Sequence, residues 1–359
     1  MDTSEILSLR LTNQQICDTR FRSPHDLVVW LGAVQAQDYA SARWSVGLRL
    51  SHSTSADIEE AIRDREVVRT WVLRGTLHIV AAEDVRWMLR LMGPRITAKS
   101  AGVYRQAGLT DKVFEDGFLL LENALQGEKQ LMRSQVVELW ENAGITTNNQ
   151  RGYLMLARAG LEGRICLGPM RDKQQTFVLL DEWIPHTKEF TREESLVEIG
   201  KRFFASHGPA TIEDFMWWCG CTRSDARQTI DMLARRLIQV SIEEKEYLYI
   251  PHNFKTTKQT NNTFLLPGFD EYLLGYTDRS LIIKETHRHQ IYPKNAVYPG
   301  LIIIKGRVRG IWKRTIEKSG IHIKLSPFTK LDDKEKSEID EVCATYGRFW
   351  KEPVVVSVS

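Results

Sequence analysis

Leu131-Met132-Arg133-Ser134-Gln135-Val136-Val137-Glu138-Leu139-Trp140 puts Val136, Val137 and Trp140 on one helical face, and Gly144-Ile145-Thr146 breaks the periodicity. A second helix follows from Asn148 through Tyr153-Leu154-Met155-Leu156-Ala157-Arg158-Ala159-Gly160, then Gly163-Arg164-Ile165-Cys166-Leu167 and Thr176-Phe177-Val178-Leu179-Leu180 read as two strands around a polar turn. The plan is helix, turn, helix, hairpin, and it recurs downstream. Thr211-Ile212-Glu213-Asp214-Phe215-Met216-Trp217-Trp218 opens with a Thr three residues before Asp214, the spacing of a capping box, and Gly220 interrupts it. The next helix spans 224–236 with Ser224 as its N-cap candidate, and Ile238-Gln239-Val240-Ser241-Ile242 and Tyr247-Leu248-Tyr249-Ile250 form a hairpin around the charged turn 243–246. Leu-Ala-Arg triplets beginning at Leu156 and Leu233 occupy matching places in the two copies. A repeat of this kind identifies the building unit, and helices ending in a two-stranded wing are the winged-helix plan, whose second helix can enter a major groove.

The N-terminal third permits a more divergent third copy. Leu27-Val28-Val29-Trp30-Leu31 and Ile58-Glu59-Glu60-Ala61-Ile62 read as helices, and Val67-Val68-Arg69-Thr70-Trp71-Val72 and Thr76-Leu77-His78-Ile79-Val80 as strands around Leu73-Arg74-Gly75. Helical material punctuated by Gly93-Pro94 and Gly108 links it to the next copy. From Thr263 the texture changes to short β-rich runs: Phe264-Leu265-Leu266, Leu281-Ile282-Ile283, Leu301-Ile302-Ile303-Ile304, Arg307 to Trp312 and Ile321 to Leu325. Such spacing predicts a small barrel or curled sheet, followed by an amphipathic helix over 332–350. The expected fold class is therefore α+β: tandem winged-helix units with a C-terminal β-barrel-like domain. The expected boundaries are 1–81 for the first unit, 82–126 for a helical connector, 127–186 and 187–255 for the second and third units, and 256–359 for the basic barrel-like domain.

A chain of 359 residues exceeds one ordinary core, and its 42% hydrophobic content excludes a mainly disordered polymer. With 49 Lys+Arg against 46 Asp+Glu, the net charge of +3 rules out a uniformly basic coat but not a local basic groove. The five cysteines are odd in number and scattered without C-x2-C spacing, which fits a reducing cytoplasm, and Cys219-Gly220-Cys221 reads as buried packing. Apolar runs such as Phe177 to Leu180 fall far short of the ~20 residues needed to span a bilayer, so no membrane partner is expected.

Between Leu301 and Lys330 the cations are Lys305, Arg307, Arg309, Lys313, Arg314, Lys318, Lys324 and Lys330, against the single acid Glu317. In a strand Lys305, Arg307 and Arg309 project from one face and can follow a phosphate backbone, or line an ordinary solvated sheet. Arg86 and Arg90 begin a stretch without acids that reaches Arg105; four apart on a helix they repel unless an anion offsets them. In Gln35-Ala36-Gln37-Asp38 an extended backbone aims both amides the same way with little bulk between them. Two carboxamides can orient a water but are poor bases, so their chemistry needs a leaving group already prepared to depart, or Asp38 as a carboxylate. The alternative is a surface or helix-capping feature. Arg74-Gly75 reads as a tight turn where Arg74 reaches a phosphate, and His78 as either a further contact or a strand residue packed inside. No P-loop, G-x-S-x-G, HExxH or dinucleotide fingerprint is present.

Four segments in the same order resemble the AlkZ-type winged-helix DNA glycosylases: Gln35-Ala36-Gln37; Thr70-Trp71 through Arg74-Gly75-Thr76-Leu77-His78; Leu265-Leu266-Pro267-Gly268-Phe269-Asp270-Glu271-Tyr272-Leu273-Leu274-Gly275-Tyr276-Thr277-Asp278-Arg279; and Gly306-Arg307-Val308-Arg309-Gly310-Ile311-Trp312-Lys313-Arg314. The resemblance covers nearly the whole chain. It implies tandem winged helices around a basic channel, and a monofunctional glycosylase that excises alkylated purines, crosslinked ones included, from double-stranded DNA without metal or organic cofactor. It implies Gln35 and Gln37 as the catalytic pair; Asp38, directly after them, is a departure from the pattern, since a relative with Gln-aliphatic-Asp carries its acid in place of the second Gln, and Asp38 joins the candidate catalytic set on its own chemistry. Together with the local charge, the expected DNA contacts are Arg74, His78, Arg86, Arg90, Lys305, Arg307, Arg309, Lys313 and Arg314, in a monomeric, cytoplasmic, nucleoid-associated protein. The alternative is a non-enzymatic winged-helix DNA-binding protein or transcriptional regulator.

Overall fold

The computed structural model describes residues 1–242, 244–252, 263–292 and 297–359. The expected boundary at 255/256 and Glu243 of the expected charged turn lie outside the described residues. Contacts divide the chain into two compact units, Met1–Ile58 with Val197–Ser359, and Glu59–Leu196.

The first unit is α+β. Its principal sheet has five strands in the order Val354–Val358, Gly320–Pro327, Arg307–Glu317, Gly300–Ile304, Thr263–Leu266, antiparallel except for the parallel pairing of the last chain segment. Among the described residues its two edge strands do not pair with each other, so the sheet is open and the expected barrel does not close. One face of it packs with helix Thr3–Asn13 and with the segment around Tyr272 in a core that includes Leu7, Leu11, Leu273, Ile291 and Leu301. Leu281-Ile282-Ile283, expected as a strand, is a turn: the Ile282 and Ile283 amides both bond Arg279 O while their side chains fill that core. Apolarity there reflects burial rather than pleating.

Local chemistry sets the helix ends. Thr211 caps helix Ile212–Cys219 in a reciprocal box with Asp214, and left-handed Gly220 ends it. The next helix, Arg223–Leu233, is capped by Thr222 with Asp225 instead of by the expected Ser224, because a capping box satisfies two orphan donors where a lone serine satisfies one. A two-stranded hairpin, Ile238–Ile242 with Lys245–Tyr249, follows. Asp332 and Glu335 form the box that starts helix Asp333–Trp350.

In the second unit strands Val67–Trp71 and Leu77–Ala81 form a hairpin, and the sheet continues from Val67–Trp71 through Ile165–Leu167 and Thr176–Leu179 to Leu131–Met132. Trp71, Phe114, Phe118, Trp140 and Met155 centre its core. Helix Val85–Gln106 passes through Gly93-Pro94 without a break. Gly93 is needed by packing: a Cβ there would lie 2.6 Å from Leu161 O.

Candidate active site and DNA interface

The Gln motif is a junction between strand and helix. Gln35 ends the strand Val34–Gln35 and is 8% exposed, Ala36 is fully buried, and Gln37 and Asp38 form an exposed bend. The strand ladder ends at Gln35, and the two amides of the motif differ in exposure, Gln35 buried and Gln37 exposed. Asp38 is the N-cap of helix Tyr39–Gly47, its carboxylate accepting the Ser41 amide at 2.6 Å. The acid beside the motif thus has a structural task, and it still faces solvent.

Two buried carboxylates lie under this junction. Glu271, 0% exposed, accepts the Gln35 backbone N–H at 2.8 Å and the Trp218 indole N–H at 2.9 Å, and lies 3.5 Å from His207 Nε2. Burial holds the His207 pKa below its ordinary value, against the opposing pull of Glu271. Asp270, 1% exposed, receives both terminal nitrogens of fully buried Arg49 at 2.7 and 2.8 Å and the Ser45 hydroxyl at 2.8 Å. Sequence reasoning quoted this acid pair but gave it no role; adjacent acids after Pro267-Gly268 in an apolar stretch were the available signal.

A groove of about 510 Å³ opens beside the junction, lined by Asp38, Ser41 and Trp44 together with Phe269, Tyr298, Lys313 and Arg314 among others. Lys313 is exposed. Arg314 donates to Tyr346 OH at 3.0 Å and lies 4.8 Å from the Trp350 ring centre. Arg43, one turn into the helix that Asp38 caps, lies 4.7 Å from the same ring and, as a single cation outside any basic run, carries no charge pattern in the sequence. Burial lifts the Tyr346 phenol above its ordinary pKa while Arg314 pulls it down. Gly47 admits the close packing beneath: a Cβ there would fall 2.1 Å from the Phe349 ring.

Of the expected strand row of Lys305, Arg307 and Arg309, Lys305 lies in the turn, while Arg307 and Arg309 keep alternate places on the less buried face. Lys305 and Gly306 have φ of 52° and 76° and make the hairpin turn, the pair of left-handed residues that two-residue hairpins favour. The register then shifts, with Ile303 opposite Val308 and Ile302 opposite Gly310, leaving Arg309 as the bulge residue. Arg309 pairs with Glu335 at 3.1 Å, and Arg307 donates to Leu281 O at 2.9 Å. The three cations still line one groove of about 500 Å³ with Lys284 and His287.

The remaining candidates belong to the second unit. Arg74 and Gly75 both adopt left-handed backbone at the hairpin turn, φ 57° and 75°, and Arg74 is half-buried. His78 is 0% exposed with Nδ1 2.9 Å from Thr76 O, which corrects the expected DNA contact: a fully enclosed imidazole cannot reach a phosphate. Arg86 and Arg90 are paired with Asp181 and Glu189, the latter at 3.3 Å between exposed groups. Their mutual repulsion is therefore offset within the protein, so it no longer argues for an external anion.

Among the described residues no group of three or more His, Cys, Asp or Glu is arranged to hold a metal, and no helix is long and apolar enough to cross a membrane. All five cysteines are free thiols.

The fold is that of a DNA glycosylase: a solved structure, Streptomyces sahachiroi DNA glycosylase AlkZ, is similar over 100% of both chains with a TM-score of 0.84 at 22% identity. A curated relative, the interstrand DNA cross-link repair glycosylase of Streptomyces sahachiroi, is 24% identical over 325 residues, covering 86% of this chain and 87% of its own. The AlkZ-like DNA glycosylase family profile matches residues 28–349, and the chain belongs to that family. It is a DNA glycosylase, and its substrate is DNA; the regulator alternative is set aside.

Proposed function

We propose that this glycosylase hydrolyses the N-glycosidic bond of purines alkylated at N7, with interstrand crosslinks among its substrates. The observation that carries the reading is the junction itself: Gln35, Gln37 and Asp38 at the start of a helix whose first turn lines a groove shared with Lys313 and Arg314. The relative named for interstrand cross-link repair supports the crosslink substrate. N7 alkylation leaves a positive charge on the purine. When the C1′–N9 bond breaks, its electron pair enters the ring and cancels that charge, so departure needs no general acid. The water oxygen bonds to C1′ and its proton passes to solvent. Gln37 and Gln35 orient the water and the oxocarbenium-like sugar, and Asp38 supplies a facing negative charge, the pairing that glycosyl transfer commonly uses.

Lys313, Arg314, Lys305 and Arg307 hold the phosphates, joined by Arg74, Arg86 and Arg90 once DNA displaces their carboxylate partners. In this reading the helix-helix-hairpin segments work as winged-helix units with the boundaries 1–81, 127–186 and 187–255, with 82–126 as connector and 256–359 as the basic domain. The enzyme acts as a monofunctional monomer on the nucleoid of the cytoplasm. An N7 lesion keeps its charge when a crosslink prevents full extrusion, so catalysis without base flipping is chemically consistent, unlike most chemistry on bases.

The test is excision from duplexes carrying one N7-methylguanine or one N7 interstrand crosslink. Wild type is expected to release both bases, and Gln35→Ala and Gln37→Ala to be slower by roughly 10²-fold or more. Wild type inert on both duplexes, or both variants fully active, overturns the proposal.

A further inference from the structure

We infer that Glu271 is the positioning residue for Gln35: its buried carboxylate, through the Gln35 backbone N–H, sets where the Gln35 amide meets the sugar. The inference rests on the reading of Gln35 as catalytic. A carboxylate at 0% exposure is costly unless its hydrogen bonds are good, and Glu271 spends one oxygen on Gln35 N at 2.8 Å and the other on Trp218 Nε1 at 2.9 Å. An N–H bound to a charged acceptor is held about twice as strongly as one bound to a neutral carbonyl. Trp218 in turn lies against the chain just before the motif, where a Cβ on Gly32 would be 3.2 Å from its ring. Glu271 thus fixes the backbone entering the motif at two points.

Its neighbour fixes the exit. Asp270 holds Ser45, on helix Tyr39–Gly47, and Arg49, which follows it. Adjacent carboxylates therefore grip both flanks of Gln35-Ala36-Gln37, and only the Glu271 grip reaches a motif residue directly. The two partners lie 236 residues apart in sequence. A displacement of about 1 Å in a reacting group can cost ~10²-fold in rate, so loss of this bond should appear in the chemical step.

The experiment is a double-mutant cycle of Glu271 and Gln35, with single-turnover excision of N7-methylguanine from a duplex as one readout and affinity for a duplex holding a tetrahydrofuran abasic analogue as the other. Glu271→Ala is expected to lower the rate by roughly 30- to 100-fold, with affinity changed by no more than about 3-fold. Glu271→Gln keeps a neutral acceptor and is expected to recover most of the rate, ending about 5-fold below wild type. Glu271→Ala added to Gln35→Ala should cost nothing more, since Glu271 acts through Gln35; a purely structural role would make the losses multiply. Multiplying losses, an affinity loss equal to the rate loss, or a wild-type rate in Glu271→Ala overturns the inference. If Glu271→Ala does not fold, the cycle is run with Glu271→Gln, and a wild-type rate or multiplying losses there overturns it. Full activity in Gln35→Ala removes the catalytic reading itself, whereas an inactive Gln35→Ala beside a fully active Glu271→Ala removes only the positioning role.

Discussion

The Gln junction and the basic hairpin belong to the same unit, yet they are held by opposite means. Under the junction, Glu271, Asp270, Arg49 and His207 are at most 1% exposed and bonded to one another or to backbone. Along the hairpin, Lys305, Arg307 and Lys313 stand in solvent, and Arg309 has the partly exposed partner Glu335. Removing one member of a buried pair leaves an uncompensated charge, whereas an exposed cation changes partners at little cost. On the proposed reading of the two regions the difference is a division of labour: geometry is fixed beforehand at the junction assigned to bond cleavage, and charge is kept available along the hairpin assigned to the polyanion.

The contrast can be broken in order of size. Asp270→Ala strands Arg49 and should destabilise the fold by about 3–5 kcal/mol; urea unfolding measures this, and a loss below about 1 kcal/mol would put the buried network on a par with the surface. Gly47→Ala forces a methyl into the Phe349 ring and should cost about 1–3 kcal/mol in the same assay. The double change Lys313→Ala, Arg314→Ala should leave unfolding nearly unaltered while flattening the slope of log affinity against log salt by about 2; an unchanged slope would detach this groove from the phosphates. Arg309→Ala, beginning from a paired cation, should affect affinity less than Arg307→Ala. The smallest effect is on pH. Burial lowers the pKa of His207, and burial with nearby Arg20 lowers that of His252 to about 4, so the unfolded chain binds more protons than the folded one below about 6.5. Stability present at pH 7 should therefore decline as pH falls below about 6.5, and His207→Asn should flatten the decline.

Features set by neighbours in sequence were legible. The Thr211 box, the start of the last helix at Asp332 and the turn at Arg74-Gly75 each depend on a few adjacent residues. Ser224 and Thr222 are equally good caps by residue type, and what separates them is Asp225, three residues after Thr222, which completes the box. Gly93-Pro94 misled because a helix can keep both when a neighbouring backbone needs the room, and that neighbour, Leu161, is far along the chain. The basic row is cut short by the hairpin turn, which takes Lys305 out of the strand, while Arg307 and Arg309 keep alternate places on its less buried face. Gln35, Gln37 and Asp38 stand out in the sequence by their spacing, whereas the Glu271 bond to the Gln35 backbone does not, since a bond across 236 residues leaves no local pattern.

The central claim is that the buried junction serves bond cleavage and the exposed cations serve binding. It is tested most directly by measuring Gln35→Ala for both at once, as single-turnover release of N7-methylguanine from a duplex and as affinity for that duplex. The account predicts a rate lower by about 10²-fold or more with affinity within about 3-fold of wild type. An undiminished rate, or a loss that lies wholly in affinity, would contradict it.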